Sequence, residues 1–166
     1  KALAWQSGWD WNLYGPIVRH VLAQPYPLLA ANLDRSEVRE VYRQVPALEG
    51  SRSTAAPVTT ALLDQVREGH CGLLPESQMP AMLAVQQQRD RRIAQRLMQA
   101  PTPAVLLAGA YHVRKDMGVP LHLQDLGLHD GTEVVVVSAS YTDAAGNVGS
   151  ATLNLESIDT TVPSAP

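Results

Sequence analysis

A dense group of chemically active side chains follows an apolar run late in the sequence. Residues 104–120 begin with five small or aliphatic residues, break at Gly109 and turn at Gly118. Between the two glycines lie a phenol, an imidazole, two cations and a carboxylate, on Tyr111, His112, Arg114, Lys115 and Asp116. In an open α/β sheet, ligands sit beyond the carboxyl ends of the strands. Side chains of these types after a buried strand make this segment the first candidate for a ligand site.

Three apolar segments predict the strands that would position this group. They are Leu28–Ala31, Ala104–Ala108 and Thr132–Ser138. Polar turns follow the first two, a pattern typical of parallel strands whose polar ends share one edge. The predicted fold class is therefore α/β, with a mostly parallel sheet flanked by helices. On this arrangement Asn32 reaches the same crevice as Tyr111, although a role as a helix cap or a solvated turn residue stays open.

Helices are predicted between these strands, over about 36–44, 60–68 and 75–98. Spacings of three and four place six residues of the longest helix on one face: Met79, Leu83, Gln86, Asp90, Ile93 and Leu97. Buried polar groups need hydrogen-bond partners. Gln86 and Asp90 are therefore expected to brace a loop or to line a site, and bracing is the favoured interpretation.

The composition narrows the class of protein. A hydrophobic content of 45% predicts a packed globular domain, and the net charge of −3 gives no positive footprint for nucleic acid. No run approaches the ~18 apolar residues of a membrane span, and no signal peptide is visible. Because the sequence starts at Lys1 without a methionine, we expect an N-terminal segment with the first strands to be missing.

The aromatic residues near the start have two interpretations. Trp9 and Tyr14 lie in a stretch that carries all three tryptophans, and the chain has no phenylalanine. Large aromatic side chains dominate core packing, so a core role is favoured over stacking against a ligand.

The character of the sequence changes at its end. Residues 139–166 are rich in serine, threonine, alanine and aspartate, and they end in a stretch with two prolines. Alternation around Ala145-Gly146-Asn147 predicts a β-hairpin. We therefore predict two domains, residues 1–138 and residues 139–166.

Several motifs occur in the order found in one protein family. They are Trp9-Asp10-Trp11 with Tyr14, then Leu29–Leu33, then His70-Cys71-Gly72, then Gln86 with Arg89-Asp90, and last Gly109–Arg114 with Asp116 and Gly118-Val119-Pro120. Over about residues 1–137 the chain resembles the ChaN-like haem-binding lipoproteins, which belong to the superfamily of Tiki proteases and erythromycin esterases. The tail resembles the end of a bacterial immunoglobulin-like repeat.

The resemblance implies a function and a setting. Members of the family bind haem in bacterial haem or iron uptake and are exported, often as lipoproteins. An α/β sandwich and haem-linked dimerisation are implied as well. For this chain the expectations are a non-catalytic haem-binding role in the periplasm or at the outer membrane, a homodimer, and an outer-membrane haem receptor as a partner. The family's opening strands have no counterpart in this sequence.

The resemblance also implies a haem site. Tyr111 and His112 are the expected ligands of the iron, and Arg114 and Lys115 the expected partners of the haem propionates. Four further residues are expected to line the site: Met117, Trp9, Tyr14 and Asn32.

The family usually has Asn-Gly before the motif histidine, where this chain has Ala110-Tyr111. It often has tyrosine where Met117 stands. The chemistry of these residues alone favours structural roles for them. The order of the motifs along the chain favours haem binding instead.

A hydrolase is the competing hypothesis, because the superfamily contains esterases and proteases. His112 would then act as a general base or a metal ligand, helped by Asp90 or His70. No serine lies in a nucleophile-elbow pattern, and no pair of histidines has helical ligand spacing. A structural or adhesion module, indicated only by the tail, is the third class.

Overall fold

The computed structural model describes residues 9–128, 140–142 and 148–150. The chain divides into two compact units, Lys1–Ala31 and Asn32–Pro166. The predicted boundary at residue 138 is a different division, and no observation tests it, so it stays a prediction.

The first unit contains helix α1, Trp11–Leu22. Asp10 caps it, because its carboxylate accepts a hydrogen bond of 2.8 Å from the backbone N–H of Asn12. Gly15 is buried in this helix, since the Trp11 indole lies where a β-carbon on Gly15 would stand.

Helices make up most of the described part of the second unit. They are α2, Arg35–Arg43; α3, Ala56–Gly69; α4, Met79–Gln99; and α5, Val119–Asp125, with a 3₁₀ turn at Glu76–Gln78 before α4. A reciprocal cap starts α2: the Asp34 carboxylate accepts from the Glu37 backbone N–H, and the Glu37 carboxylate accepts from the Asp34 N–H. The three helices predicted from periodicity are thus present.

Helix α4 is the centre of the second unit, because α2, α3 and α5 all contact it. Leu83 packs with Leu62 of α3 and with Met117 in one apolar cluster, and Met79 and Met82 pack with Val66 of α3 in another. None of the described helices combines the length and the apolar character needed to cross a membrane.

The predicted parallel sheet is wrong. Leu28–Ala31 and Ala104–Ala108 form no strand, and the described residues contain no parallel pair. Val105 is 95% exposed, so this apolar run does not lie in a sheet interior. A strand needs a hydrogen-bonded neighbour, and an apolar run in a sequence does not supply one. The third predicted strand, 132–138, lies outside the described residues.

Two short strands form an antiparallel pair at the position of the predicted hairpin. They are β1, Ser140–Thr142, and β2, Val148–Ser150, with Tyr141 opposite Gly149. The turn between them lies outside the described residues.

The turn at residues 51–53 anchors the end of α5 to the loop before α3. The Asp125 carboxylate accepts hydrogen bonds from the backbone N–H groups of Ser51, Arg52 and Ser53, at 3.1, 2.9 and 2.9 Å. The Ser53 hydroxyl adds a bond of 2.6 Å. Burial opposes ionisation of Asp125, but the hydrogen bonds, led by those from Ser53, lower its pKa to about 2. This network fixes α5 in place.

His122 on α5 is a buried polar side chain without a hydrogen-bond partner among the described residues. It is 1% exposed, and both ring nitrogens are buried. Burial lowers its pKa from 6.5 to about 4, an effect that the charge of Asp125 opposes and that of Arg91 reinforces. The folded protein therefore holds this imidazole neutral.

We predict that His122 makes the protein acid-sensitive above pH 4. Between the folded pKa of about 4 and the unfolded value near 6.5, the unfolded chain binds a proton that the native state does not. Stability therefore falls as the pH falls through this window, by about 2–3 kcal/mol from this residue.

Urea unfolding at pH 7.5 and pH 4.5 measures this contribution. The His122→Leu variant should lose about 2–3 kcal/mol less than the wild type between the two pH values. Because the pKa of Asp125 is lowered to about 2, protonation of this carboxyl reduces the stability of the protein mainly at pH values below those compared. Equal losses in both proteins would contradict the prediction.

Candidate functional site

The candidate site is the loop of residues 109–118, which connects the apolar run to α5. Its backbone is closed by hydrogen bonds on both sides of His112. The His112 N–H donates to the Gly109 carbonyl at 3.0 Å, and the His112 carbonyl accepts from the Val119 N–H at 2.8 Å. The Gly118 N–H donates to the Arg114 carbonyl at 2.9 Å. The backbone of His112 is therefore held by hydrogen bonds on both sides.

Gly118 makes this closure possible. A β-carbon at Gly118 would lie 2.3 Å from the His112 carbonyl oxygen and 2.7 Å from that of Tyr111. Any other side chain would push the start of α5 away from the loop. The sequence indicates only a turn here, and the close approach of the two backbones is a tertiary feature.

The side chain of His112 is hydrogen-bonded to a buried carboxylate on α4. His112 Nδ1 lies 2.5 Å from Asp90 Oδ1, and the two side chains are 22% and 3% exposed. Burial raises the pKa of Asp90, while the hydrogen bond and charge of His112 and the charge of Arg89 oppose the rise. The predicted role of Asp90 in bracing a loop agrees with this contact. Gln86 is only half-buried, and the neighbouring Gln87 is the buried glutamine.

Tyr111 and the charged residues of the loop are on the surface. Tyr111 is 44% exposed. The Arg114 guanidinium pairs with both oxygens of Asp116, at 2.9 and 2.5 Å, and this hydrogen bonding lowers the pKa of Asp116. Lys115 is exposed. The loop thus presents a phenol and two cations to solvent beside a fixed imidazole.

Met117 is buried in the core, and Asn32 lies in an exposed turn before α2. Met117 is 2% exposed and packs with Leu62 and Leu83 in the core, so its position favours a packing role. Asn32 is exposed, and its side chain accepts a hydrogen bond of 2.7 Å from the N–H of Leu33. This local contact is typical of a turn.

Trp9 and Tyr14 lie together in the first unit. Their ring centroids are 4.6 Å apart at an angle of 54°, and both side chains are half-buried. Tilted rings at this distance stabilise each other beyond simple burial. This packing agrees with the core role that the sequence favours, and a part in ligand binding stays a prediction.

The remaining residue of the hydrolase hypothesis is His70. His70 is exposed, and its ring nitrogen Nδ1 lies 2.8 Å from the Val66 carbonyl, at the end of α3. Among the described residues, no three His, Cys, Asp or Glu side chains are grouped to hold a metal ion.

The sequence analysis missed the role of Asp125 and of the turn at 51–53. The only signal is a Ser-x-Ser pair after Gly50, which is common in solvated turns. A β-carbon on Gly50 would lie 2.2 Å from the Asp125 carboxylate, so the glycine is needed for the contact. Asp125 and the turn lie about 73 positions apart in the sequence, so no local pattern indicates their contact.

We predict that Gly118→Ala disrupts the loop. The added methyl group overlaps the His112 carbonyl, and small-to-large changes in packed sites destabilise by about 1–3 kcal/mol. Gly109→Ala is the matched control, because its β-carbon would meet no atom closer than 3.7 Å. Chemical unfolding of both variants is the measurement. A loss of stability in Gly118→Ala no larger than that in the control would contradict the described closure.

Known proteins similar to this chain are found among protein families and among solved structures. Residues 1–123 match a family described as haem-binding uptake, Tiki superfamily, ChaN. A solved structure of cofacial haem binding to ChaN of Campylobacter jejuni is similar, with a TM-score of 0.69 and 37% sequence identity. The match covers 75% of this chain and 50% of that chain, so this chain spans half the length of that relative. No curated protein matches.

Proposed function

We propose that this chain, which belongs to the ChaN family of haem-binding uptake proteins in the Tiki superfamily, binds haem through the 109–118 loop. The observation that carries the proposal is an exposed Tyr111 next to His112, whose ring is held by Asp90. The similarity to ChaN of Campylobacter jejuni supports it.

The donor types in the loop fit haem. Ferric iron takes a phenolate or an imidazole as an axial ligand. The haem propionates are carboxylates, which pair with guanidinium and ammonium groups. Tyr111 and His112 are the candidates for the iron, and Arg114 and Lys115 for the propionates. When bound, haem supplies a redox-active iron in a large apolar ring.

Arg114 must change its partner to bind a propionate. It is paired with Asp116, and both side chains are largely exposed, at 45% and 66%. Exposed ion pairs contribute about 0–1 kcal/mol to the stability of a protein. A propionate carboxylate can therefore replace Asp116 as the partner of Arg114 with little loss of free energy. The pair therefore holds the guanidinium within the loop without blocking it.

The proposed role is non-catalytic binding in haem or iron uptake. The Asp90–His112 pair is also the arrangement that orients a general base, so a hydrolase is the alternative function. In the part of the chain that the structure describes, no Ser, Thr or Cys side chain is hydrogen-bonded to His112. The family membership favours binding.

The proposal extends to the setting of the protein. Haem uptake by the family supports export, with a periplasmic or outer-membrane location and a haem receptor as a partner. A homodimer is proposed as well, and sedimentation velocity with and without ferric haem tests it. A monomer under both conditions would contradict dimerisation without affecting haem binding.

A ferric haem titration, followed by the Soret absorbance, tests the proposed function. We expect saturable binding at fixed stoichiometry, and a Kd raised about 10-fold or more in Tyr111→Phe, because the phenolate oxygen is lost. His112→Ala tests the second candidate ligand in the same way.

Tyr26→Phe and His20→Ala are the matched controls, because both residues are exposed and lie outside the loop. Neither should change the Kd. The absence of a saturable Soret change in folded wild-type protein would contradict haem binding. Ester hydrolysis that is lost in His112→Ala would then support the alternative.

A further inference from the structure

We propose that Asp90 is a positioning residue of the haem site: from the buried face of α4 it holds His112 in the tautomer that carries its proton on Nδ1, so that Nε2 is the nitrogen offered to a ligand. This inference rests on the proposed function of the 109–118 loop.

The contact joins a buried carboxylate of α4 to the imidazole of the loop. Asp90 Oδ1 and His112 Nδ1 are 2.5 Å apart, and Asp90 is 3% exposed. A buried carboxylate without a hydrogen bond destabilises a protein by several kcal/mol. Among the described residues, the one side-chain hydrogen bond of Asp90 is to His112.

The chemistry of the two groups selects the tautomer. In its ionised form the Asp90 carboxylate accepts hydrogen bonds and donates none, so the proton between the two atoms lies on Nδ1. The other nitrogen, Nε2, then keeps its lone pair. Histidines that bind metals usually donate their second N–H to a carboxylate or carbonyl, which fixes the ring and makes it a stronger ligand.

The backbone removes the remaining freedom of His112. Its N–H and carbonyl are both hydrogen-bonded, to Gly109 and Val119, so only the two side-chain torsions are left to choose. Asp90 fixes these torsions. The neighbouring Tyr111 is 44% exposed and has no such anchor among the described hydrogen bonds, so the pair sets the rigid side of the site.

Two roles of Asp90 must be told apart. If it only anchors the loop, its loss lowers stability but leaves no signature at Nε2. If it positions the imidazole, its loss changes the tautomer even where the protein stays folded. Asp90→Asn separates them, because the asparagine amide has the same shape and can donate to Nδ1, which favours the opposite tautomer.

The first measurement is the tautomer of His112 in the haem-free protein, from long-range ¹H–¹⁵N correlation spectra of ¹⁵N-histidine-labelled samples. His112→Gln identifies the signals. We expect a protonated Nδ1 and an unprotonated Nε2 in the wild type at pH 7.5, and a shift toward protonated Nε2 in Asp90→Asn. A wild-type His112 with its proton on Nε2 would overturn the proposal without any variant.

The second measurement is the ferric haem titration of the same proteins. Loss of such a partner typically weakens metal binding 10–100-fold, so we expect the Kd of Asp90→Asn to rise at least about 10-fold with a changed Soret maximum. Gln88→Ala, half-buried on α4 and on a different face from Asp90, is the control and should match the wild type.

The outcomes separate this inference from the proposed function. If the wild type binds haem and Asp90→Asn keeps both the tautomer and the Kd, the positioning role is wrong while haem binding stands. If no folded variant binds haem, the proposed function fails, and the role of the pair in haem binding fails with it, whatever the tautomer. A changed tautomer with weakened binding supports both.

Discussion

A buried carboxylate on the central helix must have a hydrogen-bond partner, and this requirement organises the candidate site. Asp90 is 3% exposed on α4, and His112 is the side chain that hydrogen-bonds it. The loop that carries His112 must therefore pass over this face of α4. Its neighbours in sequence, Tyr111 and Arg114, then emerge on the surface beside a fixed imidazole. One contact thus separates a rigid inner side of the loop from an exposed outer side.

The same helical body holds the far end of the loop. Helix α5 begins at Val119, packs on α4, and ends at Asp125, whose carboxylate is bound by the turn at 51–53. Met117 fills the core directly before α5, with Leu62 and Leu83 as neighbours. Because His112 is hydrogen-bonded to α4 and the loop ends at α5, the loop from His112 onward is attached to the packed helices and its surface residues keep a defined spacing. A site for a rigid, planar ligand such as haem requires this kind of preorganisation.

The helices were predictable because the spacing of their apolar residues is visible in the local sequence. The predicted parallel sheet was wrong because the pairing of strands is not a local property. The face from Met79 to Leu97 identifies α4, and of its two polar members Asp90 is hydrogen-bonded to the loop while Gln86 is only half-buried. Its partner, 22 positions away, leaves no local signal. The run at 104–108 looks like a buried strand, yet only a neighbouring strand would make it one, and Val105 is exposed. The loop residues were chosen by their chemistry and motif order, but the burial of Met117 depends on tertiary packing.

Mapping the residues that contact the porphyrin directly tests the proposed binding of haem at the 109–118 loop. ¹⁵N-labelled wild-type protein is titrated with gallium(III) protoporphyrin IX, a diamagnetic substitute that also accepts axial oxygen ligands, and amide shifts are followed by NMR. We expect saturable shifts centred on residues 109–118 and on the part of α4 around Asp90. Saturable shifts confined to other residues, with the loop unchanged, would contradict it.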